Sequence, residues 1–319
     1  MRNASGFARY AWGLLGYDVA VVVWGAYVRA SGSGAGCGQH WPLCNGEVIP
    51  RAPRVATLVE LSHRASSGFA LVLTIGLLFW ALVAFPRGHI VRRGAAVSTV
   101  LMFGEALIGA GLVLFKLVEH DESLARALSI VLHLGNTFLL LAATALTAWW
   151  ASGGARVRVR GQGAVGWLLG GVLGALIVVG ASGAVTALGD TLFPPASLAA
   201  GFAQDLAPGA NTFIRLRALH PVLAGCTGAA VIIVAGLVRA LRPSRAVRIT
   251  SRVASVLVVA QVTAGLLDIV LLAPVWLQLL HLLLADCVWI TVVLTAASAL
   301  GLEPEQAMAA SPEPAPARP

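Results

Sequence analysis

The chain has 319 residues, of which 58% are hydrophobic and 11% charged. Ordinary soluble domains carry about 25% charged residues, so composition excludes a water-soluble globule and points to lipid as solvent. The net charge of +8 is read through membrane topology, and nucleic acid is not an expected partner.

Apolar runs of the roughly 20 residues needed to cross a hydrocarbon core predict spans near 11–29, 62–85, 95–115, 124–150, 163–187, 216–240, 250–272 and 275–300. The first run has no small-residue cleavage site followed by a soluble chain, so it is expected to stay in the membrane. A Gly-rich loop, RASGSGAGCGQHWPLCNGEVIP (29–50), joins it to the second and carries Cys37 and Cys44. With the N-terminus inside, fourteen of the 22 Lys and Arg residues fall on the inner side and eight on the outer. That bias predicts both termini in the cytoplasm. The segment EPEQAMAASPEPAPARP (303–319) is rich in Pro and Ala and is expected to be a disordered cytoplasmic tail.

An internal repeat organises the spans. VELSHRASSG (59–68) aligns with IRLRALHPVLAG (214–225) when His63 is laid on His220, an offset of 157. Glu105 and Gly109 fall on Gln261 and Gly265 at an offset of 156, and His133 falls on His281 at 148. The expected fold is therefore an all-α integral membrane protein with eight transmembrane helices. They form two tandem four-helix bundles, residues 1–155 and 156–302, related by a pseudo-twofold along the membrane normal.

Of seven histidines, His63, His133, His220 and His281 lie within apolar helices. Each sits on an even-numbered span, a few residues below its outer end. A single histidine in such a place is more often hydrogen-bonded structure than a ligand. Four in register suggest two axial pairs for haem iron, His63 with His133 and His220 with His281. A structural zinc site, which wants four compact ligands, fits less well.

The halves differ one turn above the first histidine of each. Glu60 precedes His63 by three residues, and Arg217 precedes His220 by three. Arg217 has a job available in pairing a haem propionate, and Arg64 or Arg29 could do the same in the first half. Glu60 is either the i,i+4 ion partner of Arg64 or a base or charge stabiliser beside a reacting group. Cys37 and Cys44, on the outer side, are expected to form a disulfide, as a staple or as a redox-active pair. Cys226 and Cys287 read as small core residues. Glu105, Asp268 and Asp286 are intramembrane acids with no assigned partner.

The loop GAYVRASGSGAGCGQHWPLCNG, the motif Glu60-x-x-His63-Arg64 and the single histidines in helices four, six and eight resemble the haem A synthase family over roughly residues 10–300. The resemblance implies an oxidoreductase of the bacterial plasma membrane. It would oxidise the C8 methyl group of haem O to a formyl group by successive hydroxylations, giving haem A for cytochrome oxidase. It implies haem O as substrate between His63 and His133, and haem b as cofactor between His220 and His281. Glu60 would be the catalytic carboxylate and Cys37–Cys44 the redox-active pair. Haem O synthase and an electron acceptor such as a quinone are the implied partners beside membrane lipid; homo-oligomerisation is left open. Two features depart from the family pattern. The family's Cys-Pro-Asp-Trp is here Cys37-Gly38-Gln39-His40-Trp41, and residues 188–215 lack the second cysteine pair of some members.

Two rival readings use the same residues. A di-haem membrane cytochrome b that only carries electrons would be served by the four histidines, but needs neither Glu60 nor the cysteine loop. A two-repeat transporter would concentrate its polar residues at the midplane rather than at one end.

Overall fold

The computed structural model describes residues 2–210 and 212–301. Within them the chain forms α1 (Arg2–Ala30), α2 (Val55–Ala84), α3 (Ile90–Leu114), α4 (Leu124–Ala151), α5 (Gly163–Leu192), α6 (Leu198–Leu206), α7 (Thr212–Leu241), α8 (Arg245–Val270) and α9 (Val275–Leu300). All but α6 are long and apolar enough to cross a membrane, which makes eight spans. The chain is an all-α, multi-pass integral membrane protein, as composition predicts. The tail expected at 303–319 lies outside the described residues.

The spanning helices have 25 to 30 residues, or about 38–45 Å at about 1.5 Å per residue. That exceeds the hydrocarbon core of about 30 Å, so their ends stand among headgroups. For this reason several helices begin earlier than the apolar runs suggest. α2 starts at Val55, not 62, and α7 at Thr212, not 216. The added turns carry Glu60 and Arg215, which a hydropathy window discards. Ser123, Ser197 and Ser244 cap α4, α6 and α8 by accepting the N–H groups of Arg126, Ala200 and Val247. Gly153 (φ +90°) turns the chain after α4 in a conformation that side-chain-bearing residues rarely adopt.

α1, α2, α3 and α4 pack in a ring, each on the next, with α1 closing on α4. α5, α7, α8 and α9 form a second ring in the same order. The seam between rings is made by α4 against α5 and α9, and by α1 against α9. At its centre Phe138 and Trp289 stack at 5.0 Å, and the Trp289 indole donates to the Phe138 carbonyl at 2.6 Å.

Each ring has its own apolar core at the end away from the histidines. Phe7, Leu14, Leu77, Val91 and Ala148 fill the first; Leu169, Val238, Val247, Val292 and Ala299 fill the second. In lipid there is no water to expel from between helices, so these cores hold by dispersion and shape. Large apolar side chains such as Phe79, Val100, Leu107 and Trp167 point outward and are exposed. In water they would form an adhesive surface; against acyl chains they are ordinary. The histidine end holds a smaller apolar cluster of Ala127, Val185, Leu188 and Phe213 and most of the buried charged groups described below.

Candidate functional site

The four histidines fall at one level. His63 lies eight residues after the start of α2, His220 eight after that of α7, His133 nine after that of α4 and His281 six after that of α9. At about 1.5 Å per residue this is roughly 9–14 Å below the helix ends. Each imidazole also packs against a glycine of the preceding spanning helix. A methyl group on Gly25 would lie 2.8 Å from Cε1 of His63, one on Gly183 3.0 Å from Cε1 of His220, and one on Gly265 2.9 Å from Cε1 of His281. At Gly109 the nearest atom would be Nε2 of His133, at 3.8 Å. The first three glycines are needed for the rings to sit where they do; the fourth leaves slack.

The His220 and His281 ring centroids are 6.5 Å apart with planes at 87°. With metal–nitrogen bonds of about 2 Å and a ring radius of about 1.1 Å, two axial imidazoles place their centroids about 6 Å apart. The pair thus fits a single iron held between two rings. Ser182 Oγ lies 2.9 Å from Nδ1 of His220, which leaves Nε2 as the ring nitrogen open to a metal. The Nδ1 of His281 is buried without a hydrogen-bond partner among the described residues, and its Nε2 lies 3.2 Å from the Gln261 amide nitrogen. Pro221 follows His220 inside α7; lacking an N–H, it frees the carbonyl one turn back, that of Arg217.

In the first pair the Nδ1 of His63 is likewise buried and unpartnered among the described residues. His133 instead meets a carboxylate, with Nδ1 2.7 Å from Oε2 of Glu105 and off the axis of the ring N–H. Glu105 is oriented in turn by α4. Asn136 donates to its Oε1 at 2.6 Å, and the Thr137 hydroxyl lies 3.2 Å from both oxygens. The contact joins two helices, and no spacing along one helix reveals it.

Above the first pair, Glu60 is 3% exposed. Its Oε2 accepts the backbone N–H of Cys37 at 2.8 Å, and its Oε1 accepts from Nε and Nη2 of Arg64 at 3.0 and 2.5 Å. The i,i+4 ion pair is therefore formed. Arg64 also donates through Nη1 to the carbonyls of His40 and Leu43, tying the loop to α2. Cys37 and Cys44 are disulfide-bonded and fully buried. Gly36 lies so close to the Ala56 backbone that no side chain would fit there.

Above the second pair, Arg217 is engaged through all of its donors. Nε and Nη2 reach Asp205, Nη2 also reaches Gln204, and Nη1 reaches Asp190 at 3.2 Å and the Phe193 carbonyl. A propionate would have to displace one of these. Arg29 turns away from its own half and donates to Ala187 O, Thr191 Oγ1 and Gln278 Oε1.

Cys226 is exposed rather than in the core, and Cys287 is half-buried. α7 is apolar on all sides, so its sequence does not distinguish a lipid face from a packed one. Asp286 is fully buried, and Asp18, which sequence reading passed over, nearly so; their carboxyl oxygens have no hydrogen-bond partner among the described residues. No three His, Cys, Asp or Glu side chains gather as a metal-ion site among the described residues.

The profile of a family described as cytochrome oxidase assembly protein matches residues 8–293. The chain is 53% identical over 263 residues to a protoheme IX farnesyltransferase of Thermus thermophilus, a match covering 82% of this chain and 43% of that protein. It is 37% identical over 111 residues to a haem A synthase of Exiguobacterium sibiricum, covering 35% of this chain and 37% of the relative. A haem A synthase of Alkalihalophilus pseudofirmus is 37% identical over 126 residues, 40% of each chain. The matched region thus spans less than half the length of each of these curated relatives.

Proposed function

The chain belongs to the cytochrome oxidase assembly protein family, and we propose that it is a haem A synthase, oxidising the C8 methyl group of haem O to a formyl group. The observation that carries the reading is the unlike construction of the two histidine pairs. His220 and His281 stand at the separation of two rings on one iron and have only neutral partners, as suits a resident haem b. His63 and His133 lie beneath a buried carboxylate, Glu60, that is tied to a disulfide loop, as suits a substrate haem. The relatives named haem A synthase support this assignment. A relative named protoheme IX farnesyltransferase supports haem O synthase as the supplier of substrate. We place the two halves at 1–155 and 156–302, related by a pseudo-twofold along the normal, with the histidine end outward and both termini in the cytoplasm of a bacterial cell. A quinone is the proposed class of electron acceptor.

Bound haem iron would supply the oxidising power for a methyl group that loses hydrogen reluctantly. The protein supplies position and charge. His63 and His133 would hold the porphyrin at fixed depth. Glu60, one turn above His63, faces the positive charge that builds on the reacting carbon, and it or a water beside it can take the proton released. Arg64 keeps the Glu60 carboxylate from swinging, and the loop carrying Cys37 and Cys44 shields it from outer water. In this reading that disulfide sits close enough to Glu60 to exchange electrons with the site. Arg64 and Arg217 at the rim are the proposed propionate partners, with Arg217 exchanging Asp205 for the propionate.

The ion pair of Glu60 with Arg64 is also what a purely structural Glu60 would make, and that favours the di-haem carrier as the second reading. Pigment extraction from the purified full chain separates the two. A carrier yields haem b alone, whereas the enzyme also yields haem O, intermediates or haem A. Glu60→Gln is expected to keep fold and haem while losing about a hundredfold or more of conversion, the size of a general-base contribution. Conversion at the wild-type rate in Glu60→Gln would return the residue to a structural role.

A further inference from the structure

Glu105 and Gln261 occupy equivalent places in the two rings. Each lies four residues before the glycine nearest a histidine, Gly109 by His133 and Gly265 by His281. Each reaches that same histidine on the following helix, though at different nitrogens: Glu105 lies 2.7 Å from Nδ1 of His133, and the Gln261 amide nitrogen lies 3.2 Å from Nε2 of His281. The repeat has kept the position and changed the group from an acid to an amide. The acid is locked by Asn136 and Thr137, whereas the Gln261 carbonyl oxygen is buried with no hydrogen-bond partner among the described residues. The other side-chain contact in the second pair, Ser182 on His220, is also neutral. Among the described residues, His133 is the one imidazole of the four with a carboxylate at its ring nitrogen.

A carboxylate behind an imidazole that binds a metal makes the ring a stronger donor and fixes its orientation. Its negative charge, acting across a poorly screened interior, favours the more positive oxidation state of the metal. An amide does neither to the same degree. Resting on the reading that both pairs hold haem iron, we propose that Glu105 sets the two irons apart, holding His133 so that iron in the first half has the lower reduction potential while Gln261 leaves the second iron higher. Glu105 touches neither iron nor porphyrin; it is a positioning residue acting through His133. The consequence is a built-in direction, since an electron shared between the halves rests on the second iron. Nothing in the catalytic role of Glu60 requires this.

The test is a spectroelectrochemical titration of the full chain in detergent, loaded with iron protoporphyrin IX, with His281→Ala as the background that reads the first site alone. Glu105→Gln is expected to shift the ferric-to-ferrous ratio of the first site about tenfold towards ferrous at fixed potential, about 59 mV for one electron. Gln261→Glu, in the otherwise intact chain, is expected to lower the second potential by a similar amount. Retained haem with an unmoved first potential in Glu105→Gln overturns the proposal. Should Glu105→Gln lose haem from the first site, the second site decides, and an unmoved potential in Gln261→Glu overturns it. Failure of the underlying haem reading would be seen separately, as the absence of any bis-imidazole spectrum in the unaltered chain.

Discussion

The two rings cover their histidines by opposite means from one position. Glu60 and Arg217 both stand three residues before a histidine and are 3% and 9% exposed. Each spends its charge on the segment that covers its own pair. Glu60 accepts from the backbone of a disulfide loop; Arg217 donates to Asp205 and Gln204 of α6. A loop that offers an N–H group calls for an acceptor, and a helix end that offers a carboxylate and an amide oxygen calls for a donor. What the repeat preserves is a buried fastening one turn above the histidine, and the sign of the charge follows the cover. The first cover is closed by a covalent bond as well, the second by ion pairs to Asp190 and Asp205.

The sharpest way to break this comparison is to remove a ligand. His220→Ala or His281→Ala is expected to abolish stable haem b, because no other imidazole lies beside that pair among the described residues. Undiminished absorbance in both variants would show that the 6.5 Å pair is structural. The fastenings come next. Arg217→Gln leaves the half-buried Asp190 and Asp205 without their cation and is expected to cost up to about 3 kcal/mol, the lower end for a broken buried pair. It should appear as a lower Tm in detergent and as faster proteolysis between Phe193 and Ala210. Glu60→Gln is expected to cost less, about 1 kcal/mol, since an amide oxygen can still accept the Cys37 N–H and Arg64 keeps its two loop carbonyls. Equal losses of Tm would deny that the two covers are built differently. The smallest contrast is between glycines. Gly25→Ala presses on the His63 ring and is expected to cost about 1–3 kcal/mol and to perturb the haem spectrum. Gly109→Ala, whose methyl group would make an ordinary contact at 3.8 Å, should leave the spectrum unmoved and be neutral or stabilising by under about 1 kcal/mol.

Much of the fold was legible because lipid simplifies the code. Long apolar runs gave the eight spans, and the repeat of His63 on His220 anticipated two rings of the same packing order. The Cys37–Cys44 bond was legible from a short loop holding two cysteines. α6 was not, since nine residues between Pro195 and Pro208 make too short a run to stand out, and its order comes from the Ser197 cap and from Arg217. The partners of Glu105 and Arg29 were hidden for another reason. Both reach across helices, and an apolar helix says little about which of its faces meets a neighbour. Gly109 and Gly265 were seen as matching letters, but Gly25 and Gly183 gain meaning only once an imidazole is found pressed against each. The misplacement of Cys226 has the same root.

Arg29 leaves α1 to bind the carbonyl of Ala187, the hydroxyl of Thr191 and the amide of Gln278, all in the other ring. At the far end the linker after α4 bonds to the last residues of α9, through Arg158 to Leu300 and Val157 beside Gly301. The seam is thus stitched at both membrane faces as well as packed along its length. Such a joint resists splaying, so the two rings do not open like a book. A flat apolar pigment held as proposed would then have to enter sideways from the bilayer, between helices of a single ring, and the rate of that passage would depend on how easily neighbouring helices part in the plane of the membrane.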